Sequence, residues 1–500
     1  MVIFLMKNKS IWTINVDKNY TNKLNKDISC DILIIGGGIA GITCAYFLKD
    51  SKKDIVLIDK DACGYGITSK TTGKLTFLQG SIYDKLRSNF NNDIAISYLN
   101  SQKDAIKIVK DIINKNKIDC DLTKTSSYLF TTGDDFELIK KEQDFFDDNN
   151  IKYEIVDKLP INYKCNYAIK VDDGYVFHPI KYVNALKKIV IENKVKIYEK
   201  TIATNLEKEN DYYIVSTKDN KIIAKKVIIC THYPFFIKPF FLPFKSCIEK
   251  SYVLTSSTCN NKNFQAITDA KPIYSIRYHT DDNKNYIIFA GNSHKSAKCI
   301  DSNKKYEELI LEFKKNFDSK IDYYFSNHDI ITSDNLAYIG RVNDNDNTFL
   351  LATGFNKWGM TNGSLAGLIL SDIVLGKKNK YEELFNPKRS ISKDTVINLV
   401  VFNFITSTRL ILTKFKKNYK FYKAKIKITD LNGKKVGIYI DDNNIKHVVS
   451  NTCPHMKCSL IFNTKDKTWD CPCHGSRFDI DGNIITGPSI YNIKIDNDNI

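Results

Sequence analysis

A glycine-rich turn between two short apolar runs constrains the fold of this 500-residue chain more than any other feature. The apolar run 31–35 leads into Gly36-Gly37-Gly38-Ile39-Ala40-Gly41, which opens a helical stretch over 39–48, and a second apolar run follows at 55–58. Short apolar runs are typical of buried strands, and the stretch between them has the length of a helix. The sequence therefore predicts a βαβ unit with the pattern G-x-G-x-x-G at its first turn.

Each glycine of this motif has a physical task in a dinucleotide site. Gly36 permits the tight turn, Gly38 lets the backbone approach a pyrophosphate, and Gly41 lets helix and strand pack closely. The helix N-terminus then faces the negative phosphates. Asp59 ends the second strand, where a carboxylate can accept hydrogen bonds from ribose hydroxyls. Motif, context and acid together favour a bound dinucleotide over a glycine turn of purely structural use.

The composition indicates a folded protein of several units. With 43% hydrophobic residues the chain can bury full cores, so two or three globular units are expected. The formal net charge of +17 raises the question of nucleic acid. Its lysines are scattered among acids, however, and no basic stripe with interleaved aromatic residues stands out. We therefore expect no nucleic-acid partner.

Two apolar segments bear on membranes and location. The opening segment 1–6 has no basic flank and no small-residue cleavage site, so a cytoplasmic protein is expected. The segment 396–412 is interrupted by Asn398, Asn403 and Arg409 and is shorter than the roughly 20 residues of a membrane span. A linker helix packed on a neighbouring domain is the expectation, and peripheral membrane contact is the alternative.

Helical and extended patterns alternate along most of the chain, which indicates an α/β fold, until short strands take over near residue 420. The predicted helices cover 93–113 and 302–317, and the predicted strands cover 212–215, 226–230, 274–279 and 286–290. A helical linker is predicted up to about residue 419. Beyond it, strands at 424–428, 435–440 and 447–450 with turn signals between them predict a small all-β domain.

Two further segments resemble the D-amino-acid oxidase superfamily of FAD enzymes. The matching residues are Gly66-Ile67-Thr68-Ser69 with Thr71-Thr72-Gly73-Lys74-Leu75-Thr76, and Ala352-Thr353-Gly354-Phe355 with Gly359-Met360-Thr361-Asn362-Gly363. The resemblance extends over residues 28–380 and implies that the dinucleotide is FAD. The first segment would lie along the pyrophosphate and flavin, and the second would close over the pyrimidine end of the flavin. Besides the glycine motif and Asp59, the residues implied to contact FAD are Lys60, Thr68, Ser69, Thr72, Gly354, Gly359, Met360 and Thr361.

The substrate implied by this resemblance is a small amine or amino acid. Arg277, on the predicted strand 274–279, could pair with a substrate carboxylate, as members of this superfamily often do from that sheet. A structural ion pair is the alternative for this arginine. No catalytic base is predicted, because amine oxidation by flavin can proceed by hydride transfer from a neutral amine.

Four cysteines crowd into residues 453–473 together with two histidines. The pattern is C-x-H at Cys453 and His455, then C-x-x-H at Cys471 and His474, with Cys458 and Cys473 left over. It resembles the Rieske family, which implies that Cys453, His455, Cys471 and His474 hold a 2Fe-2S cluster and that Cys458 and Cys473 form a disulfide between the two loops. Zinc is the rival interpretation, but zinc sites favour C-x-x-C or H-x-x-x-H pairs.

Two residues near the predicted cluster depart from the Rieske pattern. Phe478 stands where high-potential relatives have a tyrosine hydroxyl that bonds to sulfur, so we predict a reduction potential below that of respiratory Rieske proteins. A redox titration that placed the potential at the top of the Rieske range would contradict this prediction. Lys457 replaces the usual glycine before the second cysteine.

The resemblances together imply the domain organisation. An N-terminal extension (1–27) precedes a Rossmann-like, glutathione-reductase-type α/β FAD-binding domain interleaved with an α+β substrate domain (28–385), a helical linker (386–419) and a small all-β Rieske domain (420–500). The FAD-binding segments are placed at about 28–85, 170–235 and 330–380, and the substrate-domain segments at about 86–169 and 236–329.

The whole arrangement resembles bacterial FAD-dependent oxidoreductases with a C-terminal Rieske domain. The leading hypothesis is a dehydrogenase in which an amine or amino acid reduces FAD, and electrons leave through the cluster to an external acceptor. One alternative reverses the current, with an external donor feeding the cluster, and another is a redox-sensing module without turnover. A Rieske oxygenase is disfavoured because no motif of two histidines and a carboxylate for mononuclear iron is found.

Overall fold

The computed structural model describes residues 6–234, 245–269, 271–281, 283–296, 302–343, 346–390, 395, 425–431, 433–473 and 475–495. The strands, in chain order, are β1 Lys7–Asn8, β2 Ile28–Ile35, β3 Ile55–Ile58, β4 Lys74–Leu75, β5 Thr123–Thr131, β6 Glu154–Val156, β7 Tyr167–Val176, β8 Lys196–Tyr198, β9 Asn205–Glu209, β10 Tyr212–Ser216, β11 Lys221–Ile229, β12 Ser246–Thr258, β13 Phe264–Thr268, β14 Ser275–Asp281, β15 Lys284–Lys295, β16 Ile321–Thr332, β17 Tyr338–Arg341, β18 Phe349–Thr353, β19 Ile426–Leu431, β20 Lys434–Ile440, β21 Lys446–Ser450, β22 Ile461–Asn463, β23 Thr468–Asp470, β24 Arg477–Phe478 and β25 Ile484–Thr486. The helices are α1 Ile39–Leu48, α2 Tyr83–Asn89, α3 Asn92–Asn116, α4 Glu137–Asp148, α5 Pro179–Glu192, α6 Ser302–Asn316, α7 Gly359–Val374 and α8 Glu382–Phe385, with short 3₁₀ turns at Ile11–Thr13 and Ile67–Lys70.

The first sheet carries the predicted dinucleotide motif. Its strand order is β17-β18-β11-β2-β3-β8, and the hairpin β9–β10 joins at β11. Strands β18, β11, β2, β3 and β8 run parallel, so the carboxyl ends of β2, β3 and β11 meet at one edge. Helix α1 packs closely on α7, where a Cβ at Gly363 or Gly367 would lie 2.6 Å from an Ile39 or Thr43 side-chain atom. Small residues thus let α7 reach the N-terminal end of α1.

The second sheet is large and mixed. Its order is β1-β16-β12-β15-β14-β13-β5-β7-β4, with β6 paired to β7. The N-terminal β1 adds to the β16 edge in parallel. Helix α6 covers β12 and β15 through an aromatic core that includes Tyr252, Phe289, Tyr306 and Phe313. Strand β4 ends this sheet, and it belongs to the loop that follows the dinucleotide unit, so the two sheets meet at that loop.

The C-terminal residues form two small sheets, β19-β20-β21 and β22-β23-β24-β25. Their shared core contains the fully buried Trp469, whose ring would lie 2.4 Å from a Cβ at Gly437. A glycine in β20 is therefore needed to accommodate this ring. The loops that carry the clustered cysteines precede β22 and follow β23.

The predicted fold class is confirmed, with an α/β core, an interleaved mixed sheet and a small all-β unit. Helix 39–48 and strand 55–58 have the predicted bounds, whereas β11 begins at Lys221 rather than 226. Its first half alternates between exposed and buried residues, and the prediction covered only its continuous apolar half. The linker predicted at 386–419 lies mostly outside the described residues, as does segment 396–412. Within the described ranges, no helix is long and apolar enough to cross a membrane.

Candidate flavin and iron-sulfur sites

The glycine turn is closed by backbone contacts that leave no room for side chains. Gly36 has φ +106°, and a Cβ there would lie 2.8 Å from the carbonyl group of Cys230. A Cβ at Gly41 would lie 1.9 Å from the Gly36 carbonyl oxygen. By contrast, Gly38 has only the Thr68 hydroxyl as near as 3.4 Å, and no atom lies within 4 Å of the Cβ position at Gly66. The turn is thus closely packed at Gly36 and Gly41, and open at Gly38 and Gly66, where the pyrophosphate is predicted.

Asp59 supports this turn from the end of β3. Its carboxylate accepts hydrogen bonds from the Gly37 amide at 2.7 Å and the Asp61 amide at 2.8 Å. Burial raises the pKa of Asp59 to about 6, against the opposing effect of these amides. Lys60, also predicted to contact FAD, donates from Nζ to the Ile485 carbonyl of the C-terminal unit.

Two side chains of the N-terminal segment hold the loop 66–76 by its carbonyls. Ser10 Oγ donates to the Ser69 carbonyl at 2.5 Å, and Trp12 Nε1 donates to the Thr71 carbonyl at 2.7 Å. Sequence analysis predicted no role for this segment. Within the loop, Thr68 Oγ1 accepts from the Ile39 amide at 3.1 Å, in the first turn of α1.

Arg277 has a different task from the substrate ligand predicted for it. Its guanidinium is fully buried and donates to the carbonyls of Thr72 at 2.9 Å and Gly73 at 2.6 Å, and contacts His279 Nδ1 at 3.0 Å. These partners leave the side chain directed at the loop backbone. We therefore correct the prediction: Arg277 holds the loop 66–76 and does not face a substrate carboxylate. The planar fork suits this task because it reaches several carbonyls at once.

The second predicted flavin segment is tied to the first by a buried amide network. Gln79 Nε2 donates to the hydroxyl of Thr361 at 3.1 Å and to Gln102 Oε1 at 2.9 Å. Gln102 in turn donates to Asn362 at 2.9 Å, and Tyr98 donates to Gln79. This network fixes the start of α7, where Gly359, Met360 and Thr361 lie, against the end of the first loop. Gly354 turns the chain before it with φ +71°.

These residues fit a bound FAD. A glycine turn is open toward the first turn of α1, whose amides have no acceptors within the helix, and a carboxylate lies at the end of the next strand. The loop 66–76 and the start of α7 are both held rigidly by buried hydrogen bonds. The observed geometry therefore offers a phosphate site and two flanking walls at the predicted positions.

The clustered cysteines lie in two loops that approach each other. In the first, the Cys453 amide donates to the Cys458 carbonyl, and in the second the Cys471 amide donates to the Ser476 carbonyl. A disulfide joins Cys458 to Cys473, as the resemblance implied. The sulfur atoms of Cys458, Cys471 and Cys473 lie within 4.8 Å of one another. His474 lies outside the described residues.

The predicted cluster ligands sit in a buried, donor-rich setting. Contact with Cys471 and hydrogen bonds from the His455 amide and the Ser476 hydroxyl lower the pKa of Cys453 to about 7, against burial. Burial lowers the pKa of His455, which favours the neutral imidazole that binds iron. Two buried cysteine sulfurs with hydrogen-bond donors around them fit a thiolate-bound iron. Phe478 is fully buried and provides no hydroxyl there.

The C-terminal unit docks on the large sheet through a buried carboxylate. Asp466 accepts from Lys250 of β12 at 2.6 Å, from Arg477 at 2.9 Å and from Ser326 of β16 at 2.9 Å. Although burial by itself raises the pKa of Asp466, the charges of Lys250 and Arg477 hold it well below its usual range. Close packing accompanies the charges, since a Cβ at Gly475 would lie 3.0 Å from Ile248. We call Asp466, Lys250, Arg477 and Ser326 the docking cluster.

The docking cluster brings the two predicted cofactor sites together. The charges of Arg477 and Asp466 act on Lys70 of the first flavin loop, and burial lowers the pKa of Lys70 to about 8. On the other side, His232 lies three residues after the end of β11 and hydrogen-bonds to the His328 backbone. The His328 side chain lines a small cavity together with Cys471, Pro472 and Gly475. Buried residues thus connect the glycine turn with the second cysteine loop.

Family models match both parts of the chain. The model described as FAD dependent oxidoreductase matches residues 31–373, and the model described as Rieske [2Fe-2S] domain matches residues 413–495. The first match covers more than half of the chain and includes the glycine turn and both predicted flavin segments.

Individual proteins resemble the chain to different extents. The Rieske 2Fe-2S iron-sulfur protein YhfW of Bacillus subtilis is 31% identical over 494 residues, which is 97% of each chain. Gamma-glutamylputrescine oxidoreductase of Escherichia coli is 21% identical over 73% of this chain and 88% of its own. Among solved structures, glycine oxidase from Geobacillus kaustophilus superimposes with a TM-score of 0.62 at 15% identity, covering 73% of this chain and 100% of that one.

Proposed function

The chain belongs to the FAD-dependent oxidoreductase family and carries a Rieske [2Fe-2S] domain at its C-terminal end, and on this premise we propose that it is a dehydrogenase whose electrons pass from FAD through the cluster to an external acceptor. FAD supplies a two-electron acceptor, and the 2Fe-2S cluster supplies a one-electron carrier. The substrate class in this proposal is an amine or amino acid. Relatives named for gamma-glutamylputrescine and glycine support that class.

The observation that carries the proposal is the buried docking cluster. An exposed ion pair would hold two domains together weakly, because solvent and salt screen it. Asp466, however, is shared by cations from both units, and the side chains of Lys250 and Arg477 are only 4% and 5% exposed. Separating the units would take Lys250 away from the buried carboxylate that it shares with Arg477, which disfavours separation. The cluster domain therefore has one preferred docked position on the flavin domain.

This docked position also supports the electron path. The second cysteine loop lies against His328, which connects through His232 to the end of β11 behind the glycine turn. Lys60, a predicted FAD contact, donates to the C-terminal unit, and Lys70, which follows the predicted contact Ser69, lies within the influence of the docking-cluster charges. In the proposal, FAD lies between loop 66–76 and α7, and Cys453, His455, Cys471 and His474 hold the cluster.

An anaerobic absorbance titration tests the proposal. Purified holoprotein is titrated with a panel of amines and amino acids while the flavin and cluster bands are followed together. We expect one class of compound to bleach the flavin band and then the cluster band. Cys453→Ser is the matched control and should lose the cluster band while its flavin is still reduced. If external donors reduce the cluster first and no panel compound reduces the flavin, the proposed direction of electron flow is wrong.

A further inference from the structure

Lys74 is a buried cation at the junction of the two predicted flavin walls. It begins β4 within the first flavin loop and is 5% exposed. Its Nζ donates to the Ala266 carbonyl of β13 at 3.2 Å and lies 5.6 Å from the ring centre of Trp358. Trp358 immediately precedes the start of α7. The ammonium thus lies between the first flavin loop, the second flavin segment and the large sheet.

The setting of Lys74 differs from that of the other buried lysines. Among the described residues, three lysines are nearly fully buried, namely Lys74, Lys187 and Lys250. Lys187 pairs with Glu199 at 2.7 Å, and Lys250 pairs with Asp466 at 2.6 Å. For Lys74, no carboxylate of the described chain forms an ion pair, and the charge that acts on it comes from Arg277. The charge of Asp121 acts on Arg277, whereas no carboxylate charge of the described residues acts on Lys74, so Lys74 is the buried cation that has no counter-charge of its own.

Burial of an unpaired cation is unfavourable, so the protein either neutralises it or binds an anion there. Burial, reinforced by Arg277, lowers the pKa of Lys74 to about 7. A bound anion would oppose both effects. An apolar side chain of the same length would fill this space without the penalty, so packing alone does not account for a lysine.

We propose that Lys74 binds the carboxylate of the substrate, which makes amino acids, rather than amines without a carboxylate, the preferred substrate class. This inference rests on the proposed function and assigns to Lys74 the task that the sequence suggested for Arg277. Arg277 contributes from behind, because it fixes the Thr72 and Gly73 carbonyls immediately before Lys74. A single ammonium can donate to a carboxylate from several directions. Other residues would therefore distinguish amino acids by their side chains.

Ligand binding without turnover tests the proposal. The flavin absorbance of holoprotein is recorded during titration with sodium benzoate, a carboxylate probe, and with benzamide, its neutral isostere. We expect benzoate to perturb the flavin spectrum of the parent protein. In Lys74→Met the apparent Kd for benzoate should rise about 10- to 100-fold, as expected for loss of a charged hydrogen-bond partner, while the benzamide response is unchanged. Lys74→Arg, which keeps the charge, should retain most of the affinity.

A matched control and a second variant make each outcome decisive. Lys103→Met removes another ammonium, one that lies 5.0 Å from the Phe77 ring outside the proposed site, and should leave both ligands unaffected. Lys74→Gln replaces Lys74→Met if the latter does not retain FAD. Equal benzoate affinity in parent and Lys74 variants, equal weakening of benzoate and benzamide, or no response of the parent to benzoate would overturn the proposal. None of these results depends on electron transfer to the cluster, which is tested separately.

Discussion

Two pairs of buried cations differ in how their charge is balanced: Lys250 of the large sheet with Arg477 of the C-terminal unit, and Lys74 with Arg277, both of the large sheet. Lys250 and Arg477 share the carboxylate of Asp466, with which both form short ion pairs. Lys74 and Arg277 have only backbone carbonyls and a neutral imidazole as partners. The charge of the first pair is balanced by a carboxylate of the chain itself, and this pair joins two units. The second pair forms no ion pair with a carboxylate of the described residues, although the charge of Asp121 acts on Arg277, and Lys74 lies where the substrate and flavin are predicted to meet.

Burial of charge by itself therefore does not identify a functional site. A buried cation with its own carboxylate is part of the architecture, because removing either partner leaves an uncompensated charge. A buried cation without one lowers stability until a ligand supplies the anion, and that is the pattern expected of a binding residue.

Asp466→Asn should have the largest effect on stability. It removes the buried carboxylate that Lys250 and Arg477 share and leaves them only the partly exposed Asp470, which lies 3.7 Å from Lys250 and 3.2 Å from Arg477. We expect this to cost about 3 kcal/mol. Thermal unfolding monitored by circular dichroism, with limited proteolysis between the units, measures the loss. Asp442→Asn is the control, because Asp442 is 71% exposed in its pairs with Lys425 and Lys467. Comparable losses in the two variants would contradict a docking role for Asp466.

The same substitution at the two lysines should give opposite signs. Lys250→Met should destabilise the protein by about 1–3 kcal/mol, because Asp466 loses a charged hydrogen-bond partner. Lys74→Met should be neutral or stabilising by about 1 kcal/mol without ligand, because it removes an uncompensated buried charge. Denaturant unfolding of both holoproteins measures the difference. A loss at Lys74 as large as that at Lys250 would remove the contrast between the two sites.

Acid should destabilise the protein through its buried histidines before it protonates Asp466 of the docking cluster. Burial lowers the pKa of His178 to about 4, below the value of about 6.5 in the unfolded chain. Its stabilising contribution is therefore complete above pH 6.5 and is lost as the pH falls from there toward 4. The depressed pKa of Asp466 places its loss below pH 4.

At pH 5.5 the His178 contribution amounts to a loss of about 1 kcal/mol relative to pH 7.5. His178→Asn keeps a hydrogen-bond acceptor at the start of α5, where His178 Nδ1 accepts from the Lys181 amide, and should remove that part of the loss. Unfolding free energies of parent and variant at the two pH values measure it. An unchanged pH dependence in the variant would show that His178 is not the titrating group.

Lys457→Gly should have the smallest effect, a gain of about 0.5–1 kcal/mol. Lys457 has φ +58° in the first cysteine loop, a conformation that disfavours side chains. Glycine relieves that strain, although it also adds freedom to the unfolded chain. Thermal unfolding of the holoprotein measures the gain. Lys457→Ala is the control and should show none, because alanine retains the Cβ.

The Cys458–Cys473 disulfide could be predicted because it joins two loops that lie close together in the sequence and carry a recognisable pattern. The assignment of Cys453, His455, Cys471 and His474 as cluster ligands stays a prediction, and His474 lies outside the described residues. The glycine turn was equally accessible, since its spacing and flanking apolar runs lie within one βαβ unit. The fold class followed from the same local patterns.

The rest of the flavin site depends on contacts between distant segments. Ser10 and Trp12 hold the loop 66–76 from the N-terminal segment, and no local pattern in the sequence connects them with it. Arg277 was singled out correctly as unusual, but its partners are backbone carbonyls, which a sequence does not display. Lys74 was quoted as part of a motif, yet its burial and its lack of a carboxylate partner become visible only in three dimensions.

We propose that the docked geometry lets electrons pass between FAD and the cluster within one molecule. Photoreduction of the flavin in anaerobic holoprotein, followed by rapid-freeze EPR of the cluster at two protein concentrations tenfold apart, tests this directly. We expect the cluster signal to appear at the same first-order rate at both concentrations, and more slowly in Asp466→Asn. A rate that rises in proportion to protein concentration, or a cluster that stays oxidised while the flavin is reduced, would contradict it.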